Sequence, residues 1–147
     1  MISQGHEIYD SCYCGGIAYV GVSNATVNHS KFQPAFVFPA DSGPTRVADV
    51  ISHETGHNFG LSHYGRTVDG YRSEYWTGNS LFVPIMGSGL SPLSQWSKGT
   101  YSGSTNTEDD LAVIRDHGGT YRTDDHGDTA ASATTIAGPE FSVDGII

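Results

Sequence analysis

The chain has 147 residues, of which 16% are charged, and a formal net charge of −9. This length suits a single domain with its own core, or one domain followed by the start of another. With only seven lysine and arginine residues, the chain lacks the basic patch that a nucleic-acid partner needs. No apolar run approaches the roughly 20 residues that span a membrane. No signal peptide is visible, so an export signal, if there is one, is expected outside this chain.

The two cysteines, Cys12 and Cys14, are separated by one residue. A bridge across so short a loop is expected to be strained. Pairing with cysteines outside this chain is one alternative. A Cys-x-Cys metal site is another, and the lack of further thiols disfavours it. The cysteines therefore leave the redox compartment open.

Two apolar runs precede the middle of the chain. The run 15–22 is rich in β-branched and aromatic residues, which predicts a strand. If its edge is exposed, an extended peptide can add to it as a further strand, although an ordinary core strand explains the run equally well. The run 32–38 contains Pro34 and is followed by Pro39, which restrict it to a short or edge strand.

A helix is predicted from residue 46 to about residue 59. Residues 41–44 have turn chemistry, and Thr45 is predicted to cap the helix. Apolar residues recur on one face at helical spacing, which predicts an apolar stripe along the helix. These residues are Val47, Val50 and Ile51.

The predicted helix carries three of the residues that a zinc hydrolase needs. His53 and His57 are one turn apart on one helix face, so both rings can reach a single ion. Glu54 is turned too far to be a natural ligand but can reach a water on that ion. Gly60 can end the helix in a left-handed conformation, which makes His63 reachable as a third ligand. Three imidazoles leave one tetrahedral position open, as in a catalytic site.

The motif His-Glu-x-x-His-x-x-Gly-x-x-His at residues 53–63 resembles the signature of the metzincin metallopeptidases, and is most similar to the adamalysin (reprolysin) branch. The resemblance implies a secreted, extracellular zinc endopeptidase with a protein or peptide substrate. It also implies an α+β, zincin-like fold with a mixed sheet, an active-site helix, a Met-turn and a C-terminal helix.

The resemblance assigns further roles in this sequence. Met86 corresponds to the Met-turn methionine, a hydrophobic floor under the ligands. An edge strand would pair with the substrate backbone, and a segment after the Met-turn would line the pocket for the side chain after the scissile bond. The edge-strand residues are Ala18, Tyr19, Val20, Gly21 and Val22. The pocket residues are Ser88, Gly89 and Leu90.

Two positions depart from the family pattern. Tyr64 follows the third histidine, where adamalysins carry an aspartate. Ser88 lies two residues past Met86, where astacin-like and serralysin-like enzymes carry a tyrosine, so a tyrosine ligand from that position is excluded.

The rest of the chain predicts a loop, a helix and a linker. Residues 64–80, with Tyr64, Tyr71, Tyr75 and Trp76, are aromatic and polar, which indicates a loop that could border the cleft, although the aromatic side chains could instead pack beneath it. Asn106 is predicted to cap a helix that ends at Gly118 and that completes the catalytic domain. The resemblance implies that residues 1–122 form a metzincin-like catalytic domain. Because metzincins usually have further strands and a helix before the edge strand, this domain is expected to lack its N-terminal part.

Residues 123–147 resemble the linker and first strand of the accessory β-sandwich domains that follow many secreted bacterial peptidases. Three aspartates in this stretch could contact Ca²⁺, but a solvated linker explains them more simply. They are Asp124, Asp125 and Asp128.

The expected reaction follows from the motif. Zinc held by His53, His57 and His63 lowers the pKa of its bound water to about 7. Glu54 accepts a proton from that water and delivers it to the leaving amine. Two alternatives remain: an inactive zinc-binding module, which the intact Glu54 disfavours, and a zinc hydrolase of a non-peptide amide or ester.

Overall fold

The computed structural model describes residue 12 and residues 14–38, 43–89, 93–140, 142, 143 and 145. These residues form a mixed α/β fold with short strands and few helices. The helices in these ranges are α1 (His29–Phe32), α2 (Pro44–Asn58) and α3 (Asp110–Asp116). The strands are β1 (Gly16–Ile17), β2 (Phe36–Val37), β3 (Arg66–Val68), β4 (Tyr71–Ser73), β5 (Phe82–Pro84) and β6 (Leu93–Gln95).

The strands form three separate pairs. β1 and β2 are antiparallel, with Gly16 opposite Val37, and β3 and β4 form an antiparallel hairpin. β5 and β6 are parallel, with Val83 opposite Ser94. One mixed sheet was expected, and the described residues instead form these two-stranded ladders.

The β3–β4 hairpin corrects the prediction of a loop over residues 64–80. Asp69 and Gly70 form its turn with positive φ angles of 51° and 81°. Asp-Gly is favoured in such two-residue turns because both central residues must adopt φ > 0. The Asp-Gly dipeptide therefore indicated a β-hairpin, which the loop prediction overlooked.

The long helix α2 begins two residues before its predicted start. Pro44 occupies its first turn, where the missing N–H is not needed, and Gly43 is the N-cap. The prediction that Thr45 caps the helix is wrong, because Thr45 lies inside the first turn.

The predicted strand over residues 15–22 is shorter than expected. β1 covers only Gly16–Ile17. Beyond it, the chain crosses the C-terminal end of α2, where the Gly21 N–H donates to the His57 carbonyl (2.8 Å) and the Val22 N–H to the Asn58 carbonyl (2.8 Å). Helix ends leave carbonyls unsatisfied, and these N–H groups pair with them rather than with a strand.

The C-terminal helix α3 is capped by Asp109, whose side chain accepts from the Ala112 N–H (3.3 Å). The prediction that Asn106 caps this helix is wrong: its side chain instead accepts from the Glu108 N–H (2.9 Å). Gly118, with φ of 99°, follows the helix as predicted.

Three parts of the chain enclose the core. They are α2, the segment that follows β5, and α3. Leu61, Tyr64 and Met86 are completely buried at its centre. Partly buried residues pack around them, and these are Ile85, Trp96, Tyr101, Val113 and Ile114. No helix in the described ranges has the length and apolar character needed to cross a membrane.

A disulfide joins Cys12 and Cys14. The short spacing had disfavoured this pairing, so the structure corrects that expectation. The predicted strand over residues 141–147 falls partly outside the described residues, and Ser142, Val143 and Gly145 are not in a strand.

Candidate metal centre and cleft

The three predicted histidines come together at the C-terminal half of α2. His53 and His57 lie on the same face of the helix, and their ring centroids are 4.9 Å apart. Gly60, with φ of 97°, turns the chain after the helix. The turn brings the His63 ring to 4.7 Å from His57 and 5.2 Å from His53. One nitrogen from each ring lies within 4.8 Å of the other two.

Each imidazole is held by its Nδ1 atom. His53 Nδ1 lies 2.8 Å from the Ile85 carbonyl, and His57 Nδ1 lies 2.8 Å from the Leu61 carbonyl. His63 Nδ1 lies 2.9 Å from Glu74 Oε1. All three partners are acceptors, so each Nδ1 carries the proton and donates. Each Nε2 of a neutral ring then presents a lone pair.

The electrostatics of the site fit a cation. Burial lowers the pKa of His53 to about 4 and lowers that of His57 as well. These two rings are therefore neutral near pH 7, the form that binds a metal. His57 Nε2 and His63 Nε2 lie 2.9 Å apart. Two lone pairs that face each other this closely repel unless a proton or a cation lies between them, and a three-imidazole set suits zinc.

Glu54 lies beside the histidines in a largely dry position. It is 5% exposed, and burial raises the pKa of its carboxyl to about 7. Gly16 of β1 packs directly against it: a Cβ on Gly16 would lie 2.6 Å from Glu54 Cγ and 2.7 Å from Oε1. A residue with a side chain at position 16 would displace the carboxylate.

A cleft of about 420 Å³ opens in front of His53 and Glu54. The cleft is lined by the Cys12–Cys14 disulfide and Gly16 from the N-terminal part of the chain, and by Ile85 and residues 87–89 from the segment after β5. The cleft is large enough for several atoms of an extended ligand. It places a potential substrate against His53, Tyr75 and the buried carboxylate of Glu54.

Met86 lies under the helix rather than in the cleft. It is completely buried, and its carbonyl accepts from the Tyr64 N–H (2.9 Å). A Cβ on Gly56 would lie 2.6 Å from Met86 Sδ, so the methionine fits closely against α2. Gly87 N–H donates to the Pro84 carbonyl (2.9 Å), which closes a turn around Met86. The role of Met86 as a floor under a metal stays a prediction.

The predicted substrate-binding residues divide into three groups. Ser88 and Gly89 line the cleft, whereas Leu90 lies outside the described residues. The third group follows β1 and lies at the C-terminal end of α2, outside the lining of this cleft. It consists of Ala18, Tyr19, Val20, Gly21 and Val22. Their proposed pairing with substrate stays a prediction.

Two neighbours of the site, Glu74 and Tyr75, lie in the segment 64–80 and were not among the predicted site residues. Glu74 is the acceptor for His63 Nδ1. The Tyr75 hydroxyl lies 3.3 Å from His63 Nε2, and burial raises the pKa of that hydroxyl. Both follow β4, and only the hairpin returns them to His63. Recognition of the Asp69-Gly70 turn would have been the one available clue.

Tyr64, the departure from the adamalysin pattern, serves the core. It is completely buried, and its hydroxyl donates to the carbonyls of Ser97 (3.1 Å) and Glu108 (2.5 Å). The residue after the third histidine thus connects the metal centre to the segments that precede α3.

Comparison with known proteins agrees with the site. Residues 5–64 match the family model described as Metallo-peptidase family M12B Reprolysin-like. No curated protein and no solved structure matches the chain. The matched segment contains α2, Gly60 and all three histidines, and a metallopeptidase family supports a protein or peptide substrate. The part of the chain that carries the histidine motif is therefore reprolysin-like, and the predicted resemblance to the metzincin metallopeptidases is confirmed.

Proposed function

We propose that the protein is a zinc-dependent endopeptidase that hydrolyses peptide bonds. One observation carries the proposal: three Nε2 atoms, freed by three Nδ1 hydrogen bonds, converge beside a buried carboxylate at the edge of a cleft. His53, His57 and His63 would hold the ion. When bound, zinc supplies Lewis-acid chemistry, activating water and polarising the carbonyl.

The chain's own residues account for the proton transfers. Glu54 accepts a proton from the attacking water as the new C–O bond forms, and holds it on a carboxylate oxygen. It then gives that proton to the peptide nitrogen as the C–N bond breaks. Burial raises the pKa of this carboxyl, which makes Glu54 a stronger base toward the attacking water than an exposed carboxylate would be. The buried position of Glu54 limits competing proton exchange with bulk water.

We further propose that the protein is a metzincin-type enzyme. Met86 packs beneath α2 and would act as the floor of the Met-turn, and α3 would be the C-terminal helix of a catalytic domain at residues 1–122. We further propose an extracellular location. The Cys12–Cys14 disulfide supports it, because disulfides persist in oxidising compartments.

Two alternatives are an inactive zinc-binding module and a zinc hydrolase of other amides or esters. An inactive zinc module has no need of Glu54, whose burial and neighbouring Gly16 hold a carboxylate at the cleft. A hydrolase of other amides or esters would use the same chemistry, and the peptidase family match favours peptides over these substrates.

The decisive experiment measures metal content and peptide cleavage together. Elemental analysis is expected to find one zinc ion per chain. Incubation with a mixed peptide library should yield internal cleavages that a chelator abolishes and added zinc restores. His57→Ala should lose both metal and cleavage, whereas His29→Ala, which alters a histidine on α1, should retain both. Zinc binding without any cleavage would favour the inactive module.

A further inference from the structure

Tyr75 lies at the mouth of the metal centre, on the short segment that follows β4. Its ring lies 4.3 Å from that of His63 and 6.3 Å from that of His53, and it lines the same cleft as Glu54. It is 37% exposed, so one side of the ring faces the open cleft. The family motif does not include this position.

The hydrogen bonding of His63 shows what the Tyr75 hydroxyl does without a metal. His63 Nδ1 donates to Glu74, so Nε2 is an acceptor, and the Tyr75 hydroxyl lies 3.3 Å from it. The hydroxyl is therefore directed at the nitrogen that would bind the ion. Once a cation takes that lone pair, the hydroxyl loses this acceptor and faces the adjoining part of the cleft.

The backbone holds Tyr75 in this position. The Ser73 hydroxyl donates to the Tyr75 carbonyl (2.6 Å), and the Trp76 N–H donates to the Tyr64 carbonyl (2.7 Å). The second bond ties the segment to the residue next to His63. With its backbone held in this way, the side chain only has to turn its hydroxyl toward a charge that develops beside it, which keeps the reorganisation small.

We propose that Tyr75 is a catalytic residue that donates a hydrogen bond to the carbonyl oxygen of the scissile peptide bond as that oxygen gains negative charge. Water adds to the carbonyl carbon and gives a proton to Glu54, while the π electrons move onto the oxygen that faces Tyr75. When the tetrahedral species collapses, these electrons re-form the carbonyl, the C–N bond breaks, and the nitrogen receives the proton from Glu54. The hydroxyl keeps its own proton throughout.

The proposal rests on the proposed endopeptidase function, and its test separates the two. Tyr75→Phe removes a single oxygen atom. Tyr71→Phe, at an 88% exposed position on β4, is the matched control. Three quantities are measured for each zinc-loaded protein: zinc affinity by competition with a chelator, affinity for a phosphinic pseudo-tripeptide with small side chains, and kcat and KM on a peptide from the library.

The expected result is selective. Tyr75→Phe should keep its zinc affinity and its near-ultraviolet circular dichroism, and should bind the phosphinic probe about 10–100-fold more weakly. Its kcat should fall about 10²–10³-fold with KM within about threefold of the wild type, as for loss of an oxyanion donor. Tyr71→Phe should match the wild type throughout.

Two results would overturn the proposal. One is a Tyr75→Phe protein that binds the phosphinic probe as the wild type does. The other is a loss of probe affinity that follows an equal loss of zinc affinity, which would make Tyr75 a packing partner of His63. If the wild type binds zinc but cleaves no peptide, the endopeptidase proposal fails. The probe affinities still decide the role of Tyr75.

Discussion

Glu54 and Glu74 are two carboxylates at the candidate metal centre, and they differ in what surrounds them. Glu54 is buried against Gly16, and burial raises its pKa to about 7. Glu74 is exposed and accepts from His63 Nδ1. The first is placed to exchange protons, and the second to orient a ligand.

For Glu54, we expect Glu54→Gln to lower kcat about 10²–10⁴-fold, because an amide cannot accept the proton. Zinc content should remain one ion per chain, since the three histidines keep their Nδ1 partners. Peptide cleavage and elemental analysis check both parts, with Glu140→Gln as an exposed control. Undiminished cleavage by the Glu54→Gln protein would rule out Glu54 as the base.

For Glu74, we expect Glu74→Ala to weaken zinc affinity about 10–100-fold, the usual effect of losing a group that orients a metal ligand. Glu74→Gln should lose less, because its amide oxygen still accepts from Nδ1. Asp69→Asn, in the turn of the same hairpin, controls for the loss of one negative charge. Competition with a chelator gives the affinities, and equal values for all three variants would contradict the role.

At the scale of elements, α2 and the Met86 turn fit together through a glycine. A Cβ on Gly56 would lie 2.6 Å from Met86 Sδ and 3.2 Å from atoms of Leu61 and Trp96. A helical Gly→Ala change normally gains about 1 kcal/mol. Here the crowding cost of about 1–3 kcal/mol opposes it, because Met86 and Leu61 are completely buried.

The net of these two effects is a loss of at most about 2 kcal/mol, so we expect Gly56→Ala to lower the free energy of unfolding by up to about 2 kcal/mol. Ala48→Gly, at an exposed position of the same helix, measures the difference in helix propensity between alanine and glycine without any crowding. It should lower the free energy of unfolding by about 1 kcal/mol. Denaturant titrations of both variants check the comparison. A Gly56→Ala protein more stable than the wild type would mean that the turn moves away freely.

The sequence predicted elements where a local pattern decides the structure. The stripe of Val47, Val50 and Ile51, with the preceding turn, located α2 to within two residues at its start. The strand at 15–22 was overextended because apolar character did not reveal that its second half satisfies the end of α2. Likewise, the histidine spacing predicted the centre, whereas Glu74 and Tyr75 reach it only through the β3–β4 hairpin, whose Asp69-Gly70 turn the loop prediction overlooked.

At the scale of the whole molecule, Asp110 couples stability to pH. It is completely buried at the start of α3, where it accepts from the Ser97 N–H (2.8 Å), and burial raises its pKa to about 6. Between about pH 4 and pH 6 the folded chain therefore binds more protons at this site than the unfolded chain. The free energy of unfolding should fall as pH rises through that range.

The expected loss is about 3 kcal/mol for a pKa difference of about two. Asp110→Asn should remove the pH-dependent contribution of this carboxyl. The wild type should therefore lose about 3 kcal/mol relative to the variant between pH 4 and pH 7. Asp116→Asn, at the exposed end of α3, is the control and should run parallel to the wild type. Denaturant titrations at several pH values provide the measurement. Parallel curves for Asp110→Asn would contradict the assignment.

The hydrogen bonds that fix the histidines span very different distances along the chain. His57 is held by a carbonyl four residues later, His63 by a carboxylate eleven residues later, and His53 by a carbonyl 32 residues later. During synthesis the ligands emerge first, and the last of their partners, Ile85, emerges well after them. A nascent chain that ends before Ile85 cannot fix the His53 ring. The order of synthesis therefore delays a complete metal centre until the core segment around Met86 has been made.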